Sequence, residues 1–134
     1  MIRMSALVGR TQFNALCDLL RGGVLLLCSG DPPLDQEASV PEKQIGVRVS
    51  VGNCAVRVAD DGESAKLGPF DTTLVEHEVI VRWFQVRTAD QQVLLDGTIG
   101  RGSGDLRLPR TDLLPGDRVT IEEMELTRRE PVSE

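Results

Sequence analysis

The residues of this chain that could do chemistry are few and scattered. His77 is the only histidine and lies between Glu76 and Glu78. A general base needs a nucleophile and an orienting partner within hydrogen-bond reach. In an extended segment successive side chains leave on opposite faces, so both glutamates would point away from the imidazole. Cys17, Cys28 and Cys54 are an odd set of three with no metal-ligand spacing. Cys17 falls on a helical pattern and Cys28 in an apolar run, where burial blunts thiolate chemistry.

Three further stretches invite a chemical reading. Asp60-Asp61-Gly62-Glu63 lacks the oxygen spacing of a calcium loop and reads as a hairpin turn. Gly97 to Asp105 has the glycines of a phosphate loop. No lysine follows, however, and Leu106-Arg107-Leu108-Pro109 continues as strand where such a loop needs a helix. Of Glu122, Glu123 and Glu125, only the last two share a face, and they read as a solvated surface. The sequence therefore predicts no enzyme, no catalytic residue, no cofactor and no metal.

A chain of 134 residues fits one domain, large enough to bury roughly two-thirds of its unfolded surface without disulfide or metal staples. Hydrophobic content of 40% and charged content of 27% are ordinary for a globular protein. Phe13, Phe70, Trp83 and Phe84 are the only aromatics, so Val, Leu and Ile must fill the core. The net charge is −6, and the arginines are dispersed among carboxylates. Phosphate-backbone binding relies on clustered cations, so no nucleic-acid partner is expected. Residues 1–10 lack the apolar stretch of a secretory signal, and Val24 to Cys28 is too short to cross a bilayer. No membrane partner is expected, and three free thiols suit a reducing compartment.

The elements that must position these residues are mostly strands. Residues 1–10 read as an arm with Ala6, Leu7 and Val8 as its apolar patch. Thr11 can cap a short helix over about Gln12 to Leu20, with Phe13, Leu16, Leu19 and Leu20 on one side. Gly22-Gly23 ends it. Val24 to Cys28 follows as a strand covered on both faces or lodged against the helix, and Ser29-Gly30-Asp31-Pro32-Pro33 stops it. Leu34 to Lys43 reads as an extended acidic surface loop. Ile45, Val47, Val49 and Val51 alternate strictly, and Gly52-Asn53 is expected to turn that strand onto Cys54 to Ala59. Residues 64–74 read as irregular.

A long strand over about Glu76 to Thr88 changes parity near Trp83, which predicts a bulge or a strand covered on both sides. Ala89 to Gln92 turns into Val93 to Leu95, and Asp96-Gly97 punctuates the next segment. Leu106 and Leu108 mark a short strand, and Leu114-Pro115-Gly116-Asp117 a turn. Arg118 to Thr127 closes the fold with a parity change at Glu122-Glu123. This pattern predicts an all-β, antiparallel β-sandwich or jelly roll with one short N-terminal helix. The domain spans 11–127 and a charged tail spans 128–134.

Two stretches carry a resemblance. Arg21 to Pro33 is similar to a signature of two glycines, a short strand, Ser-Gly and a proline. Trp83-Phe84-Gln85-Val86, Leu95 to Gly100, Gly104 to Leu108, Pro115-Gly116-Asp117 and Val119-Thr120-Ile121 resemble its later half. Together they resemble a family of small structural proteins of tailed bacteriophages and prophages, over about residues 12–127. Cys28 departs from that pattern in place of an aromatic, and Gln91-Gln92 in place of a glycine turn.

The resemblance implies a virion component, most directly a jelly-roll cement or decoration protein on the capsid, made in the host cytoplasm. Its partners would be the major capsid protein or another virion protein, and further copies of itself as a dimer or higher oligomer. Candidate interface residues are Asp31, Pro32, Pro33 and Leu34 in the loop and Leu7 and Val8 in the arm, unless these pack on their own domain. A tail-tip or baseplate component is the alternative within this class. Outside it stands a carbohydrate- or host-binding module, against which the scarcity of aromatics counts.

Overall fold

The structure is a computed structural model that describes residues 3–4, 18, 20–34, 40–51, 55–58, 64–70, 72–101, 105–121 and 124–127. It is an all-β fold rich in antiparallel pairing. Of the expected N-terminal helix, Asp18 and Leu20 have helical backbone, and residues 11–17 lie outside the described set.

The larger sheet has the order β1 (Arg3–Met4), β9 (Val93–Gly100), β8 (Trp83–Arg87), β2 (Val24–Cys28), β3 (Ile45–Ser50). β10 (Leu106–Arg107) joins β9 in parallel. β2 is apolar at every position, so it must be covered on both faces and belongs inside a sheet. It pairs with β3 on one edge and β8 on the other. The expected hairpin from β3 onto the next strand is not formed among the described residues. β4 (Ala55–Val58) pairs instead with β5 (Ser64–Gly68), a strand where the sequence pattern predicts irregular chain. Ser64-Ala65-Lys66-Leu67-Gly68 carries only two apolar residues, but both are buried.

Opposite this sheet runs a long, interrupted ribbon, two-stranded except where β4 adds to β5. β5, β6 (Thr73–Leu74) and β7 (Val79–Ile80) ascend against β13 (Met124–Thr127), β12 (Arg118–Val119) and β11 (Asp112–Leu113). Between the ladders, the N–H groups of Val75 and Gly116 donate to the Asp117 and Val75 carbonyls, at 2.8 and 2.9 Å. One register therefore holds from Thr72–Thr120, whose hydroxyls are 3.2 Å apart, to Val81–Thr111. Odd-numbered Val75, Val79, Val81, Leu113 and Val119 are buried, and even-numbered Leu74, Ile80, Asp112 and Arg118 are exposed. Beyond Thr72 the register slips by one residue, as the Phe70 N–H bond to the Ile121 carbonyl and the β5–β13 pairing show.

The strand expected over 76–88 is in fact two, because the chain changes partner. Val81 N–H still bonds to Thr111 of the ribbon, whereas Arg82 N–H bonds to Cys28 of the sheet. From there β8 is buried on both sides, with Phe84 and Val86 in the main core and Trp83 on the other face. The main core joins Leu25, Leu27, Val47 and Phe84 of the sheet to Leu67, Val79, Val119 and Ile121 of the ribbon. Leu26, Cys28, Ile45 and Trp83 form a second cluster behind it.

Candidate interaction surface

The chemically suggestive residues do not converge among the described residues. Cys28 is fully buried, and burial pushes its thiol up to about 12, the nearby Arg87 and Arg48 offsetting only part of that. Such a thiol is a packing group. His77, Glu76 and Glu78 are exposed. His77 borders a groove of about 330 Å³ between β3 and the ribbon, which Arg48 and Leu74 also line. There Arg48 is paired with Glu42. No group of three or more His, Cys, Asp and Glu side chains is placed to hold a metal among the described residues. Gly97 to Gly100 lie in β9, and the strand expected after the glycine loop is β10. Cys17, Cys54, Asp60 to Glu63, Glu122 and Glu123 lie outside the described residues.

Of the six expected interface residues, Leu7 and Val8 also lie outside the described set. Asp31 and Pro32 are exposed, Pro33 is half-buried, and Leu34 is 99% exposed. They begin a loop whose base is pinned. Trp83 Nε1 donates to the Ser29 carbonyl at 3.0 Å, and Ser29 N–H donates to the Gln44 carbonyl at 2.8 Å. The loop ends at a short 3-10 turn, Glu42–Gln44. Because its two ends are held together, the loop presents Asp31 to Leu34 from a fixed stem.

The ribbon supplies surface features that the sequence reading missed. Leu74 and Ile80 are 57% and 60% exposed, and Leu114 is 43% exposed. Along one side of the ribbon lies a hollow of about 260 Å³. Its floor is Leu108, Leu113 and Val119, all buried, and Arg110, Asp117 and Arg118 border it. Arg110 stands 3.6 Å from Asp112 in an exposed pair. Asp117 Oδ2 accepts the Leu114 N–H at 2.9 Å, which closes the turn predicted at 114–117, with Gly116 at φ +92°. Arg118 makes no ion pair among the described residues. The parity of β11 and β12 would have placed these side chains, had residues 72–81 been read as their partner.

No family model, curated protein or solved structure matches this chain.

Proposed function

We propose that this chain is a structural protein of a tailed-phage particle, a capsid cement or decoration protein that binds the outer shell and stabilises contacts between major capsid subunits. In this reading the fold is a jelly-roll β-sandwich with a short N-terminal helix, acting as a dimer or higher oligomer. Two-fold pairing lets one small domain bridge two subunits, and weak contacts repeated over a shell reinforce one another.

The observation that carries the reading is where the resembling residues fall. Gly22 has φ +75°, and a Cβ on Gly23 would come within 2.4 Å of the Arg87 carbonyl. The first glycine of the signature is therefore favoured by its left-handed backbone, and the second by the close approach of Arg87 on β8. Ser29-Gly30 forms the stem of the exposed Asp31 to Leu34 segment, and Trp83 to Val86 lie at the centre of the sheet. The signature residues thus hold the scaffold and leave loop and ribbon surfaces for gripping a neighbour. The test is to image and heat particles made with and without this chain. Lowered shell stability without it, and density for it between capsid subunits, support the reading; unchanged stability and no density on the shell overturn it.

A further inference from the structure

The outer edge of β12 is open. The Asp117 carbonyl faces Val75 across the ribbon, so in an antiparallel ladder the backbone groups of Arg118 and Thr120 point the opposite way. They make no backbone hydrogen bond on that side among the described residues. The hollow of about 260 Å³ lies along this edge, with apolar Leu108, Leu113 and Val119 below and Arg110 and Arg118 beside it. A volume under the roughly 300–1,000 Å³ of small-molecule sites suits one inserted side chain better than a cofactor.

We propose that this edge receives an extended acidic segment of a partner protein as an added strand. Unpaired backbone groups at an edge supply the affinity of strand addition, and pockets for alternate side chains supply its specificity. An apolar side chain of the segment fills the hollow, and carboxylates on either side of it reach the two guanidinium groups. Arg118 is unengaged by any ion pair of the described chain. The exposed Arg110–Asp112 pair is of a kind worth little, so it yields to a better-placed acid. Asp117 is already held by the Leu114 N–H, and Arg110 is held to Asp112 through both its carboxylate and its carbonyl, so Arg118 is the cation at this edge that faces the ligand without a carboxylate partner among the described residues. The inference stands apart from the virion reading, because the experiment below reads the edge itself and needs no particle.

The full chain, labelled with ¹⁵N, is titrated with the blocked hexapeptide Thr-Asp-Leu-Asp-Val-Thr and with its counterpart bearing Asn for both Asp residues. Saturable shifts of the Arg118, Thr120 and Leu108 amides are expected. Both the Asn peptide and Arg118→Glu weaken binding by about tenfold or more, as loss of a charge-assisted bond requires. Arg118 is exposed, so an unchanged melting temperature shows that the variant is folded. Several results overturn the proposal: no saturable shift up to millimolar peptide, shifts confined to other strands, or equal binding of the Asn peptide. Self-association that Arg118→Glu abolishes would assign the edge to a second copy and overturn it too, as would equal competition by a single-stranded oligonucleotide.

Discussion

Phe84 and Gly97 face each other across the β8–β9 ladder, and the phenyl ring occupies the space that a side chain at 97 would need. A Cβ on Gly97 would lie 2.8 Å from Cε1 and 2.9 Å from Cζ of Phe84, and 2.8 Å from Asp105 Oδ2. The ring is fully buried between sheet and ribbon, so it has nowhere to retreat. Gly97→Ala is expected to cost about 1–3 kcal/mol through overpacking. Combining it with Phe84→Leu should recover part of that loss in a double-mutant cycle measured by chemical denaturation. Strict additivity of the two substitutions would show that the ring is not what excludes a side chain at 97.

The same pair explains where sequence reading stopped. Asp96-Gly97 has turn chemistry and was expected to end a strand, yet β9 runs through it, because Gly97 answers the demand of Phe84 and not that of a turn. Alternation located β3, the two-sided burial of β8 and the turn at 114–117, since each of these is written in local parity or in turn residues. Pairing was not legible. β3 was expected to pair with its sequence neighbour but lies against β2, whose continuous apolar run needs a strand on each edge. Arg110 and Arg118 are separated in sequence by the turn at 114–117 and border one hollow only in the folded ribbon. The end of β2 before Asp31 to Leu34 was legible because consecutive prolines cannot donate to a ladder.

Thr98 and Asp105 form a clasp at the base of the glycine loop. Asp105 Oδ2 accepts from Thr98 N–H at 3.0 Å and from its hydroxyl at 3.2 Å, and Asp105 N–H donates back to Oγ1 at 3.1 Å. Parallel strands ordinarily need a crossover of a dozen or more residues, but here residues 101–105 suffice because the clasp holds β10 beside β9. Asp105→Ala is expected to cost about 1–2 kcal/mol and to speed amide exchange at Thr98 and Leu108 more than at Val86. Unchanged protection at Thr98 would count against the clasp.

Cys28 gives the chain an alkaline limit. Its thiol ordinarily ionises at 9.0 and is pushed up to about 12 in the fold. Above pH 9 the unfolded chain loses this proton while the folded chain keeps it. The stabilisation is thus fully present below pH 9 and is lost as pH rises toward 12, at up to about 1.4 kcal/mol per pH unit. Cys28→Ala is expected to be less stable than the parent at pH 7, by about 1 kcal/mol of lost packing. By pH 11 it should equal or exceed the parent. Urea melts at matched pH values check this, because every other titrating group is common to both chains. Parallel stability curves from pH 8 to 11 would refute it.

Trp83 ties the buried sheet to the loop that presents Asp31 to Leu34. Its indole is 1% exposed, and its N–H is the hydrogen bond that fixes the Ser29 carbonyl at the loop stem. Trp83→Phe keeps most of the apolar volume and removes that donor, so the Ser29 carbonyl loses its partner and a small gap opens behind β2. The two effects together are expected to cost about 1–3 kcal/mol. If the indole merely filled space, the loss would be spread evenly over the sheet. If it anchors the loop, amide exchange at Ser29, whose N–H bonds to Gln44, rises well above the change at Val47, which sits on β3 away from the stem. Hydrogen exchange at these two amides, compared between parent and variant, separates packing from anchoring and decides whether the loop stem is held by this one residue.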